Sequence, residues 1–266
     1  MGFRLQTFCR LEFEVSVATP MILVLRPSAR AAQWVAHDSF EVNPPVALRE
    51  YHDVFENRCQ RLVAPPGQFS IEATAEVQVP DGGEVNEEAP FVDIVRLPDW
   101  ALGYLLPSRY CESDRAGSLA RRIVGKAPLG YPQVLRLRDW IRTEVAYKPG
   151  SGEQLLSALE VLERGEGVCR DLAHLLITLC RALSIPARIV VGFAREVNPM
   201  DIHAWVEVWL GDRWYGFDPT PGTPIAGRVV LGVGRDGADV PLFNQFGPVL
   251  RPSKLEVSLR ELTQAP

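Results

Sequence analysis

Apolar and polar residues alternate strictly over two early stretches of the chain. Leu11, Phe13, Val15 and Val17 are separated by Glu12, Glu14 and Ser16, and Ile71, Ala73, Ala75 and Val77 by Glu72, Thr74 and Glu76. A period of two predicts half-buried antiparallel strands. Pro44-Pro45 and Pro65-Pro66-Gly67 punctuate this region as turns. Residues 1–80 are therefore expected to form an all-β, sandwich-like domain. Residues 81–130 read as a connecting segment, opened by the turn-rich Asp81-Gly82-Gly83 and the polar Glu84–Pro90. A helical period follows, with helices expected at Ser118–Gly125, at Pro132–Thr143 behind a first-turn proline, and at Ser151–Arg164. The last carries Leu155, Leu156, Leu159 and Leu162, with Gly165 as its stop.

With 266 residues, 47% of them apolar, the chain can bury a core as one large or two modest domains. Its 28 basic and 33 acidic residues give a net charge of −5, and no Lys/Arg cluster stands out, so no nucleic-acid partner is expected. The longest apolar runs, such as Met21–Leu25 and Ile189–Ala194, fall far short of the roughly 20 residues that span a bilayer. Met1–Val17 lacks an unbroken apolar stretch and is not read as a signal peptide. Five cysteines, odd in number and without a CxxC pair, favour neither a disulfide framework nor a zinc ribbon. The expected compartment is the reducing cytoplasm, where a thiol can serve as a nucleophile.

One thiol stands in a distinctive place. Gly165-Glu-Gly-Val-Cys169 leads into Leu172, Leu176, Leu179 and Leu183, an apolar helix stripe that ends before Ile185-Pro186. Cys169 is thus expected in the first turn of a buried helix. The free N–H groups and dipole there favour a thiolate and can donate to an oxyanion when it attacks a carbonyl. Gly167 is expected to let backbone approach a substrate. Cys180, on the stripe side, is read as packing. Downstream, His203-Ala-Trp-Val-Glu-Val-Trp-Leu210 reads as a strand, Gly211-Asp212 as a two-residue hairpin loop, and Arg213–Asp218 as the return strand. In that register Asp218 faces Trp205, one diagonal step from His203 on the same face. A carboxylate there can fix the tautomer of an imidazole and stabilise its charged form. Cys169, His203 and Asp218 together make a nucleophile, a base and an orienting group. His174 points away from Cys169 and is assigned to packing or a backbone hydrogen bond. A zinc site from Cys169, His174, Cys180 and His203 lacks ligand spacing, so no metal and no cofactor are expected.

Gly167-Val-Cys-Arg-Asp-Leu-Ala-His174, Ile185-Pro-Ala-Arg-Ile-Val-Val-Gly-Phe193, His203-Ala-Trp-Val-Glu-Val208 and Trp214-Tyr-Gly-Phe-Asp-Pro-Thr220 resemble the bacterial transglutaminase-like core. Residues 3–80, with Leu25-Arg-Pro27 and Asp53-Val-Phe-Glu-Asn57, resemble the β domain that precedes it in many bacterial members. Leu105–Cys111 and Gly234–Pro241 also look like family segments, while Glu56 stands where the family usually has glycine. The resemblance implies an α+β, papain-like core over residues 131–266 with a C-terminal extension. Its helix bears the cysteine and packs on an antiparallel sheet. It further implies a Cys169–His203–Asp218 catalytic triad acting on peptide or glutamine amide bonds through a thioester. The expected partner is a peptide or protein substrate, with an amine as possible acceptor. Hydrolysis is favoured; cross-linking of glutamine to amines is the alternative, and a non-catalytic binding module on the same fold is a third reading.

Overall fold

The computed structural model describes residues 2–29, 33–81, 85–150 and 155–262. Strands β1 (Gly2–Val15), β2 (Thr19–Leu23), β3 (Trp34–Asn43), β4 (Arg49–His52), β5 (Arg58–Ala64) and β6 (Gly67–Pro80) fill the first eighty residues. The alternation seen in the sequence appears as alternating burial: Leu5, Thr7, Cys9, Leu11, Phe13 and Val15 face inward, paired across β6 with Val77, Ala75, Ala73, Ile71, Phe69 and Gly67. Residues 82–84 of the expected linker lie outside the described residues.

The helical region contains α1 (Asp99–Leu102), α2 (Gly117–Val124), α3 (Tyr131–Glu144) and, after the short strand β7 (Ala146–Tyr147), α4 (Ala158–Arg164). The structure starts α4 later than the leucine spacing suggested. Ser157 caps it: the Ser157 hydroxyl accepts from the Glu160 N–H, and the Glu160 carboxylate accepts from the Ser157 N–H at 2.7 Å. Such a box fixes the first turn at this point. Leu155 is left outside the helix and exposed, and residues 151–154 of the expected helix lie outside the described residues.

The rest of the chain comprises β8 (Glu166–Gly167), α5 (Cys169–Arg181), β9 (Ala187–Ala194), β10 (His203–Leu210), β11 (Arg213–Phe217), β12 (Arg228–Gly234), β13 (Phe243–Gln245) and β14 (Pro252–Glu261). An antiparallel sheet in the order β11-β10-β9-β12 carries α5 on one face, and α2, α3 and α4 enclose the helix from the other side. The last two strands leave this sheet. β14 pairs with β1 to complete the sheet β14-β1-β6-β3, and β13 pairs with β2 in the sheet β13-β2-β5-β4. Side chains from these two sheets share one core, which also takes in Phe193, Val229 and Leu231 from the sheet that carries α5.

The apolar stripe understates how deeply α5 sits. Every residue from Asp171 to Arg181 is buried, so the polar ones need internal partners. Arg181 finds them in the carbonyls of Ala187, Leu106 and Arg235 and the Ser108 hydroxyl. The His174 Nε2 accepts from the Gly237 N–H at 2.9 Å, and its ring stacks on Tyr110, whose own N–H donates to Asp236. The segments 105–111 and 234–241 thus meet against the helix. Asp53–Asn57 forms a turn closed by the Asp53 carboxylate, with Glu56 in the left-handed region at φ 61°. The Asn57 amide then clamps both backbone groups of Val233 in β12, joining sandwich to core.

Candidate functional site

Three backbone features deliver Cys169. Gly165 ends α4 at φ 72°, a conformation that suits a residue without Cβ. The chain then pairs parallel with β7, Tyr147 opposite Gly167, and turns directly into α5. The Val168 N–H is taken by the Asp171 carboxylate at 3.1 Å, and the first intrahelical bonds run from the Asp171 and Leu172 N–H groups to the Val168 carbonyl. The N–H groups of Cys169 and Arg170 therefore precede the hydrogen-bonded turns and point out of the helix start. Gly167 serves a different end from the substrate approach expected of it. It is buried, and a Cβ there would lie 2.9 Å from the Asp171 Cβ, so it lets the first turn of α5 close on the loop. Cys169 is half-buried, whereas Cys9, Cys59, Cys111 and Cys180 are buried. Burial pushes the thiols of Cys9 and Cys111 up to about 12 and that of Cys59 to about 11, with that of Cys180 raised as well.

The hairpin supplies the other two groups. Leu210 pairs with Arg213 across the Gly211-Asp212 turn, and the register runs unbroken to Val206–Phe217. Asp218 is the next residue, and its Oδ2 lies 2.8 Å from the His203 Nε2; each side chain is 1% exposed. Cys169 lies beside His203, close enough to favour its charged form. The structure therefore brings together the three residues singled out in the sequence, on α5, β10 and the end of β11. His174 and Cys180 lie within the helix packing. Among the described residues no group of three or more His, Cys, Asp or Glu side chains is placed to hold a metal ion.

Two arginines around Asp218, Arg142 and Arg228, carried no signal in the sequence. The Thr220 N–H donates to the Asp218 Oδ1 at 2.8 Å, and the Arg142 guanidinium of α3 donates to the Asp218 backbone carbonyl at 2.7 Å. Arg228, at the start of β12, donates to Oδ2 at 2.7 Å. Burial opposes charge on Asp218, but the bonds from His203, Arg228 and the Thr220 N–H outweigh it and hold the carboxyl below its ordinary range. Burial likewise works against the charged form of His203. Its bond to Asp218 and the charges of Asp218 and Cys169 prevail, and the imidazole is held up at about 9. Tyr147 faces the same group: burial first, then the charges of Cys169, Asp201 and Asp218, push its phenol up to about 12.

The two buried histidines move in opposite directions. Burial drives His174 down to about 3, so the native state refuses a proton that the unfolded chain accepts below about pH 6.5. Stability is then lost as pH falls below that value. His203 keeps its proton up to about 9, so its contribution is complete below pH 6.5 and is lost as pH rises through 9. Conformational stability should peak near pH 6.5 and fall on both sides, by up to about 1.4 kcal/mol per pH unit for each histidine. Urea midpoints at pH 5, 6.5 and 8.5 check this; a midpoint that is flat or rises steadily across the range would refute it.

Comparison with known proteins adds to this geometry. Residues 117–219 match the transglutaminase-like superfamily, and residues 12–79 match the bacterial transglutaminase-like N-terminal region. A crystal structure from Cytophaga hutchinsonii, of a protein named as a candidate cysteine protease, is 33% identical. That alignment covers 100% of this chain and 92% of that one, with a TM-score of 0.93. An uncharacterized protein of Mycobacterium leprae is 34% identical over 146 residues, 51% of this chain and 52% of that protein. The chain thus matches about half the length of such curated relatives. A protein-glutamine gamma-glutamyltransferase of Pseudomonas aeruginosa is 38% identical over 65 residues, 20% of this chain and 10% of that protein.

Proposed function

Because this chain belongs to the transglutaminase-like superfamily, a family of cysteine enzymes, we propose that it is a cysteine-dependent acyl-transfer enzyme with Cys169, His203 and Asp218 as its catalytic triad. One observation carries the reading: a half-buried thiol at a helix start lies beside an imidazole that is hydrogen-bonded to a buried carboxylate.

The chemistry follows from the atoms. With Nε2 engaged by Asp218, Nδ1 is the ring nitrogen left to take the Cys169 proton. The thiolate attacks an amide carbonyl, and the developing oxyanion meets the start of α5, where the Cys169 N–H precedes the first intrahelical bonds. Imidazolium gives its proton to the departing amine, leaving a thioester on Cys169. Neutral His203 then deprotonates the acceptor, which restores the thiol and releases the acyl group.

Water as acceptor gives a peptidase or amidase, which we favour on the likeness to the Cytophaga hutchinsonii protein. An amine as acceptor gives glutamine cross-linking, the reading suggested by the shorter match to the Pseudomonas aeruginosa transferase. Five unpaired thiols suit a reducing compartment, and we take the cytoplasm as its location. Mass spectrometry of a peptide library incubated with the protein and a primary amine separates the outcomes. Cleaved peptides or deamidated glutamines are expected, and amine adducts would replace them if transfer dominates. No Cys169-dependent product of any kind would overturn the enzymatic reading in favour of a binding module.

A further inference from the structure

We propose that Arg228 is a positioning residue of this site: it shares the His203-facing oxygen of Asp218 and keeps that carboxylate charged in the half of the cycle when the imidazole is neutral. The inference rests on the acyl-transfer reading above and adds to it a fourth group.

The guanidinium is fixed from three sides. Its Nη2 lies 2.7 Å from the Asp218 Oδ2, the same atom that His203 Nε2 meets at 2.8 Å. Its Nε donates to the Pro224 carbonyl at 2.9 Å, and its central carbon sits 4.9 Å from the centre of the Trp205 ring. Trp205 in turn lies nearly parallel to His203, with ring centres 6.3 Å apart. The Arg228 and Asp218 side chains are 5% and 1% exposed, so water screens their attraction little.

A carboxylate this buried is stable as an anion only beside a cation. While Cys169 is a thiolate and His203 is protonated, the imidazolium could fill that role alone. Once His203 has passed its proton to the leaving amine, it cannot. An unpaired Asp218 would then draw a proton back onto the pair, and His203 could not act as base towards the acceptor. With Arg228 in place, the four groups together are electrically neutral both in the thiolate–imidazolium pair and again once the thioester has formed. The same positive charge opposes the imidazolium, so it keeps the proton on His203 releasable. Other groups face this cluster: Asp201 towards His203, Tyr147 towards Cys169 and Asp218, Glu207 towards Arg228, and Arg142 towards both Asp218 and Arg228. Of these, Arg228 alone is bonded to the shared carboxylate oxygen.

The test reads protonation directly on the full chain, so it remains decisive even if the protein proves not to transfer acyl groups. In the wild type, the Asp218 carboxyl carbon followed by NMR should keep its ionised shift on both sides of the His203 titration. Protonation of Asp218 as His203 loses its proton would overturn the proposal. In Arg228→Met, the His203 midpoint should rise by about one to two pH units, since a cation bonded to the same carboxylate oxygen has been removed. Arg228→Lys should restore it to near the wild-type value, although the shorter head cannot reproduce the contacts with both Asp218 and Pro224. An unchanged or lowered midpoint in folded Arg228→Met would also overturn it, because a group that only filled space would not raise the hold of His203 on its proton. Should the methionine variant fail to fold, the wild-type carboxyl titration decides by itself.

Discussion

Cys169→Ala should lower turnover by about 10⁶-fold and abolish the covalent acyl-enzyme, while the chain remains folded. The size of the loss follows from the loss of the attacking atom: neither the helix-start N–H groups nor His203 can form the thioester without it. The fold should tolerate the change because Cys169 is half-buried in the first turn and stands outside the all-round packing that begins at Asp171. Removing one sulfur there should alter stability by no more than about 1 kcal/mol. Cys180→Ala is the matching control. It leaves chemistry untouched but opens a hole in the core, where Cys180 is fully buried. Intact-mass detection of a thioester with a slowly hydrolysed amide or ester substrate, together with thermal melts of both variants, checks the pair. Activity retained by Cys169→Ala would remove the nucleophile assignment.

Asp218→Asn should reduce kcat by about 10³–10⁴-fold with little change in KM. Arg228 and His203 share the Oδ2 atom. An amide nitrogen in that place faces both as a donor and forces the His203 proton onto Nδ1, the atom that must receive the thiol proton, whereas an amide oxygen there sets the nitrogen against the Thr220 N–H. The His203 midpoint, held at about 9 by Asp218 and Cys169 against burial, should fall. Buried Arg228 would lose its counter-ion, an effect of about 3–5 kcal/mol, so kinetics belong at low temperature and alongside a melt. A kcat within tenfold of wild type would show that the carboxylate is dispensable.

Much of this site could be read from the sequence because its parts are local. The Gly211-Asp212 loop sets the register of β10 and β11, and register alone decides which side chains share a face; His203 and Asp218 follow from it. Cys169 follows from glycines ahead of an apolar helical period. Arg228 was not legible. It reaches Asp218 across a loop and from a different strand, and a lone arginine at a strand start has no local signature. The start of α4 was misplaced for a different reason. Ser157 and Glu160 carried the capping signal, but the leucines upstream drew the helix back past it. The burial of α5 on all sides was hidden as well, since nothing local shows that Arg181 is internal until the carbonyls that satisfy it are known; the backbone hydrogen bond expected of His174 is the one it accepts from the Gly237 N–H.

The pairing of β14 with β1 has a consequence for synthesis on the ribosome. Phe13 meets Pro252 and Leu5 meets Glu261, so β1 needs a neighbour that emerges more than two hundred residues later. At about 5–20 residues per second, one edge of β1 stays open for tens of seconds while the catalytic core is already available to fold. An open strand edge is a template for pairing with another chain. Until β14 emerges, that edge of β1 is open to the matching strand of a neighbouring copy on the same polysome.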